Sequence, residues 1–338
     1  MNGIQVQTSP TTVPVLPLLV KERVCLRAVA SGEGPGVRLL ALLFTLFFIA
    51  CTPPEEPSDT DESTDTDEST DNDTPVTDID PDQQINFPDS VLRACVEKLI
   101  YGKNPGDPIY AKDVVDIEEV YCDDVGDLTG MDFFSKIKTI TFYNNSINSL
   151  KSLSTLYTLK YLYFRGGGVK TLDDIKGLGN LLYIEYQQSQ LEDISALSEI
   201  LSIKNVDLRE NKLTDLAALS SLPNLEIARV INTPTLTTLG AQFTAPKLQT
   251  LNVSNCGLTS LNELSGLPEL TDIAAGSNYL TDIEFITTLP KIKAIGIGGN
   301  CLPESEVQRY VDWWNTKYPE SATTLEEEIQ YQSPEKCQ

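Results

Sequence analysis

Between residues 137 and 302 the apolar positions fall into one spacing, met eight times in a single register. In the first copy Ile137 and Ile140 stand three apart, Phe142 follows by two, Asn145 by three and Ile147 by two. Later copies begin at Leu159, Leu181, Ile203, Leu225, Leu248, Leu270 and Ile292. The step is 22 residues, except for a step of 23 between the fifth and sixth copies, where one residue is inserted near Pro234. A fixed period of this size defines a repeat architecture before any local element is assigned. Its centre, apolar–variable–apolar, is a short strand with two side chains inward and the one between them outward. The residue three positions on (Asn145, Gly167, Ser189, Asn211, Thr233, Cys256, Asn278 or Asn300) sits where the chain leaves the strand. A polar side chain there can satisfy backbone groups that no sheet neighbour reaches.

One such repeat cannot bury its own apolar face, whereas stacked repeats share a continuous core. The strands then form a parallel sheet at ~4.8 Å per repeat, and eight of them plus a capping strand make a concave surface roughly 40 Å long. Further apolar positions, such as Leu216, Leu219 and Leu222 in the fourth copy, cover the other side of each coil.

This template resembles that of the leucine-rich repeat family, and runs such as NKLTDLAALSSLPNL (211–225) resemble its bacterial internalin type. The resemblance spans about 85–302. It implies a repeat solenoid with a parallel β-sheet on the concave face, a mostly 3₁₀ or irregular convex side, and small helical caps at both ends. For function it implies only that a partner binds the concave face. NFPDSVLRACVEKLI (86–100) resembles the helical N-terminal cap of that type, with a further strand at Val120–Cys122 and DLTGM (127–131) as the link. ESEVQRYVDWWNTKY (304–318) reads as a helix whose Val307, Val311 and Trp314 share one face and could cover the last coil. The expected boundaries are an N-terminal cap over 85–132, eight repeats over 133–302 and a C-terminal cap over 303–338.

The outward strand positions are uneven along the sheet. Copies one to five present Tyr143, Tyr161, Tyr163, Arg165, Tyr183, Glu185, Asp207, Arg209 and Arg229, with Gln187, Ile227 and Ile231 among them. Copies seven and eight present mostly Ala and Gly, as at Ala274, Gly276, Gly296 and Gly298. Tyr and Arg are the residues most enriched at binding hot spots, which makes the N-terminal half the expected partner-binding patch, centred on Tyr161, Tyr163, Tyr183, Arg165 and Arg209. Tyr also favours strands, and neighbouring Arg–Glu and Arg–Asp residues read equally as ordinary cross-strand pairs.

Upstream of the repeats the pattern changes. Residues 39–50, LLALLFTLFFIA, form an apolar run after Arg38, short of the ~20 residues a membrane span needs and suited to a secretory signal. The run closes on Phe48-Ile49-Ala50-Cys51, which resembles the lipobox of bacterial lipoproteins, although Phe48 stands where Leu is usual. The resemblance makes Cys51 the lipidated residue of a signal over 37–50. Residues 1–36, long and with prolines at 10, 14, 17 and 35, fit poorly ahead of such a signal, so the expected start is Val37, with 1–36 untranslated. Thr52 after the cysteine, rather than Asp, implies outer-membrane delivery within that family.

Residues 52–84 carry thirteen carboxylates, no basic side chain and the tandem TDESTD (60–71), the composition of a self-repelling spacer. We assign 51–84 as a disordered acidic tether. Asp78, Asp80 and Asp82 alternate as in cation loops, but Gln83 occupies the position where such a loop requires Gly.

The whole chain of 338 residues has 49 acidic and 25 basic side chains, a net charge of −24, and no histidine. The first fifty residues contribute +2 and the tether −13, leaving −13 on the repeats and caps. Acidity of this kind argues against nucleic acid as a partner. The lack of imidazole removes Ser-His-Asp and Cys-His catalysis and the usual zinc sites. Gly166-Gly167-Gly168 lacks the Lys and Ser/Thr of a phosphate loop and reads as a strand-exit turn. Seven cysteines sort by position: Cys25 lies upstream, Cys51 is the lipidation candidate, and Cys256 holds a repeat position as a buried thiol. Cys95 and Cys122 fall in one cap and Cys301 and Cys337 in the other, so one disulfide is expected in each.

The expected protein is thus a non-catalytic monomer of the bacterial cell envelope, without metal or cofactor, whose only membrane contact is its lipid anchor. It faces either the periplasm or the medium and binds a protein or glycan. The alternatives are a structural envelope protein without a soluble ligand, or an effector enzyme, for which the 36 residues after the last repeat leave little room.

Overall fold

The computed structural model describes residues 79–319 and Cys337, all within the unit Asn72–Gln338. The signal, Cys25, Cys51 and the tether as far as Asp78 lie outside the described residues.

Nine strands form one sheet in chain order, each parallel to the next. They are β1 (Glu119–Asp123), β2 (Thr139–Asn145), β3 (Tyr161–Gly166), β4 (Tyr183–Gln187), β5 (Asn205–Asp207), β6 (Ile227–Arg229), β7 (Thr250–Asn252), β8 (Asp272–Ala274) and β9 (Ala294–Gly296). The eight repeats supply β2–β9, and β1 is the capping strand. Every apolar position of the eight templates is buried, from Ile137, Ile140 and Phe142 to Ile295, Ile297 and Leu302. Each fully buried Leu, Ile or Phe contributes about 1.5–3 kcal/mol. In the first three coils the inward aromatics stack: Phe142 on Phe164 at 5.6 Å, and Phe164 edge-on to Tyr186 at 5.5 Å.

The chain returns on the convex side through 3₁₀ turns, for example Lys151–Leu153, Asp173–Ile175 and Ala217–Leu219. Between β6 and β7, the coil with the inserted residue, no such turn forms. Leu239, Phe243 and Ala245 are buried there instead. The Phe243 N–H donates to Glu263 O (2.9 Å), tying this longer path to the next coil.

The strand-exit residues form a ladder. Asn211 Nδ2 donates to Leu208 O of its own coil (3.0 Å) and Tyr186 O of the preceding one (2.6 Å), while its Oδ1 accepts from Leu191 N (3.2 Å). Asn278 and Asn300 repeat the arrangement, and Cys256 occupies the same slot, its thiol donating to Val230 O at 3.2 Å. The residue just before each rung is left-handed in every coil: Asn144, Gly166, Gln188, Glu210, Asn232, Asn255, Ser277 and Gly299. Only two of these are Gly, so the signal is invisible to a search for glycine turns.

At the N-terminal end, α1 spans Ser90–Leu99, later than the predicted start at residue 86. Asp89 sets the boundary, since its Oδ1 accepts from Val91 N and Leu92 N at the helix start. Its Oδ2 accepts from Gly126 N (2.6 Å) and Asp127 N (3.0 Å), pinning the helix to the link after β1. A short helix, α2 (Ala111–Val114), follows. Residues 81–84, assigned to the tether by composition, are hydrogen-bonded to it. Pro81 O and Gln83 O accept from Lys112 N and Ala111 N, and Asp82 pairs with Lys112 at 2.6 Å. Composition placed these residues outside the fold because it does not register backbone pairing.

At the other end, α3 (Glu304–Lys317) covers the last coil with Tyr310, Val311 and Trp314, Val307 being partly buried. Disulfides join Cys95 to Cys122 (Cα–Cα 6.1 Å) and Cys301 to Cys337 (5.6 Å), one in each cap region.

Candidate partner-binding face

Because every strand is parallel and in register, outward residues of the repeats become straight rows across the sheet. The central row runs Thr141, Tyr163, Glu185, Asp207, Arg229, Asn252, Ala274, Gly296. Two residues earlier in each strand, Tyr161 pairs with Tyr183 and Tyr183 with Asn205. Two residues later, Arg165 pairs with Gln187. A bulge in β2 between Phe142 and Asn145 shifts the register beside this row.

The structure gathers seven of the nine expected partner residues as half-buried side chains: Tyr143, Tyr161, Tyr163, Arg165, Tyr183, Arg209 and Arg229. Tyr163 and Tyr183 form a slab, with ring centroids 5.0 Å apart and a 34° tilt. The Arg165 guanidinium lies over the Tyr143 ring, 4.8 Å from its centroid, and Nη2 reaches Glu185 Oε1 at 3.4 Å. Arg209 holds Asp207 with two bonds of 2.8 Å. Long, entropically costly side chains are thereby fixed before any partner arrives.

The other two, Glu185 and Asp207, are buried rather than presented at the surface. They are 9% and 3% exposed, buried among larger neighbours, and serve as anchors for the guanidiniums. Alternation along a strand gives the side of the sheet, not the burial there or the Arg209 fork that holds Asp207. Burial raises the Glu185 carboxyl above its ordinary range and nearby Asp207 adds to this, against the opposing pull of Arg165 and Arg209. The same burial, with Glu185 close by, raises the Tyr183 phenol. Arg209 is held firmly in its charged form by the Asp207 hydrogen bond.

Two further residues lie on the same face. Tyr121 of β1, 56% exposed, stands edge-on to Tyr143 at 6.1 Å and extends the aromatic surface onto the cap. The sequence marks Val120–Cys122 as a strand of the cap, without a place on this surface. Gln187 of the outward row is 4% exposed, and its Nε2 is buried without a hydrogen-bond partner among the described residues.

The patch offers rigid aromatic faces and oriented N–H donors, which suits non-covalent recognition. Its hydroxyls include phenols whose ionisation burial opposes, at Tyr143 and Tyr183. Among the described residues no group of three or more Cys, Asp or Glu could hold a metal ion, and no helix is long and apolar enough to cross a membrane.

No protein-family model and no curated protein sequence matches the chain. Among solved structures, an internalin of Listeria monocytogenes is similar at 18% identity, over 70% of this chain and 84% of that one, with a TM-score of 0.43. Internalin C2 of the same organism is similar at 19% identity over 64% and 87%, with a TM-score of 0.48. A plant peptide hormone receptor in complex with its peptide gives 14% over 54% and 34%, with a TM-score of 0.42. The sequential parallel sheet, the repeated strand-exit ladder and the 3₁₀ return turns make this fold a leucine-rich repeat solenoid.

Proposed function

We propose that the chain is a lipid-anchored protein of the bacterial cell envelope that binds a protein, or a glycan, through the N-terminal half of its concave face. The observation that carries this reading is the held cluster of Tyr143, Tyr163, Arg165, Tyr183 and Arg209 on adjacent strands. The C-terminal half offers Ala274, Gly276, Gly296 and Gly298 at equivalent positions and little to grip a partner. Aromatic and Arg side chains in pre-set geometry are what binding hot spots are made of. The reaction chemistry of an enzyme has no counterpart in the patch. The lipobox-like Phe48–Cys51 supports the anchor, with the acidic spacer that ends before Pro81 setting the solenoid off from the membrane.

The test is site-specific photo-crosslinking in intact cells, with the probe at Tyr163 or at Ala274. A discrete adduct from position 163 and none from 274 is the expected outcome. Equal labelling from both, or no adduct from either, would favour a purely structural envelope role. Metabolic labelling with a fatty acid, lost in Cys51→Ser, tests the anchor separately.

A further inference from the structure

The concave face contains two buried donors that the fold leaves without an acceptor. Arg165 Nε and Gln187 Nε2 are both inaccessible, and neither has a hydrogen-bond partner among the described residues. They are neighbours, as Arg165 of β3 and Gln187 of β4 are paired residues in the sheet. Gln187 is 4% exposed, and the burial of Tyr186 before it in the core turns Gln187 to the concave side. A buried unpartnered donor is costly to keep, and two side by side call for an acceptor supplied from outside.

The surroundings specify what that acceptor carries. Arg209 follows Gln187 in the same row and commits Nε and Nη2 to Asp207, leaving its Nη1 edge uncommitted to that carboxylate. Arg229 forms no ion pair among the described residues. Three guanidiniums, Arg165, Arg209 and Arg229, thus share this face with Glu185 and Asp207, which are themselves buried, and with Asp123 beside Tyr143 at its β1 edge. A carboxylate is planar, takes several N–H donors at once and forms charge-assisted bonds with a guanidinium; a neutral amide oxygen does only part of this. The net charge of −24 does not override the local field, because charges beyond about 8 Å are screened at physiological salt.

We propose that Arg165, Gln187 and Arg209 form a carboxylate-recognition subsite that takes an Asp or Glu side chain of a partner polypeptide. An adjacent apolar side chain of the same polypeptide lies on the Tyr163–Tyr183 slab. This assignment rests on the reading of the concave face as the binding surface.

The experiment selects random phage-displayed peptides on the whole protein, then measures the enriched sequences as synthetic peptides. Enriched peptides are expected to carry Asp or Glu beside an aromatic or aliphatic residue. Arg165→Met and Gln187→Glu should each weaken them about tenfold or more. Replacing the peptide's own Asp or Glu by Asn or Gln should cost as much on the parent protein and erase the difference between parent and variants. That arm leaves the protein unaltered, so misfolding of a variant does not imitate it. Neutral or basic peptides that are enriched and lost on Tyr163→Ala would leave the concave face as a binding surface and overturn the carboxylate subsite. No enrichment, or enriched peptides indifferent to Tyr163→Ala, would overturn both. Binding of an oligogalacturonate in place of any peptide would overturn the polypeptide source.

Discussion

Arg209 donates Nε and Nη2 to the two carboxylate oxygens of Asp207, both at 2.8 Å, across two residues of one coil. The fork holds a buried aspartate on the concave face of the sheet and fixes the arginine above it. Removing the carboxylate leaves a half-exposed guanidinium unpaired but able to reach water, so the cost stays below that of a fully buried pair. Asp207→Asn should lower stability by about 1–2 kcal/mol in urea unfolding.

The same substitution should also move Glu185. Burial raises that carboxyl first and Asp207 second, so losing the Asp207 charge should bring its titration down toward the ordinary 4.5, observable by NMR. A carboxyl raised in the folded state binds its proton more readily folded than unfolded. Glu185 therefore adds stability as pH falls through its folded value, fully so below 4.5. The pH dependence of Glu185→Gln compared with the parent should lack this rise.

Asp89 has the opposite sign. Burial works against its charge, but four backbone N–H groups, of Leu92, Gly126, Val91 and Asp127, hold the carboxyl below its ordinary 3.8. Its contribution is present above 3.8 and fades as pH falls through the lower folded value. Asp89→Asn keeps an acceptor for the helix start but turns a donor toward Gly126 and Asp127. It should cost about 1–2 kcal/mol at pH 7, a gap that closes in acid.

Asn211 is a rung of the ladder with no substitute nearby. Asn211→Ala strands the Tyr186 and Leu208 carbonyls and the Leu191 N–H, and should cost about 2–3 kcal/mol. Hydrogen exchange should show lost protection in the third and fourth coils before the rest of the solenoid.

The Cys256 thiol, pushed up to about 11 by burial, should not react with a disulfide reagent at pH 8 in the folded protein. It should react fully once guanidinium opens the coil.

Gly167 holds the second rung with no side chain, at φ 89. A Cβ there would stand 2.6 Å from Asn145 Oδ1 and 2.8 Å from Ile147 O. Gly167→Ala should lower stability by about 2–4 kcal/mol, more than Gly177→Ala, where nothing lies within 4 Å.

The strands were readable because Ile140-x-Phe142 and its seven successors repeat a local rule, and all of those side chains are indeed buried. The left-handed residue was not readable in three coils, since Gln188, Glu210 and Ser277, unlike the Asn and Gly of the other five, carry no marker of positive φ. They are held there by the return path of a stacked chain rather than by their own preference. The site divides in the same way. Tyr163 and Arg165 were legible as outward residues, whereas the burial of Glu185, Asp207 and Gln187 was not, because a side chain's cover comes from neighbouring side chains and strands.

Sequence alone determined the number of coils, the order and direction of the strands and the inward face of each, because side-chain alternation and a fixed period act over a few residues. Tertiary structure decided which outward groups reach solvent, which carboxylates became anchors, and where Asp89 ties a helix to a loop 37 residues away. Those outcomes depend on the size and charge of side chains brought together only when the coils stack, and no window along the chain contains them.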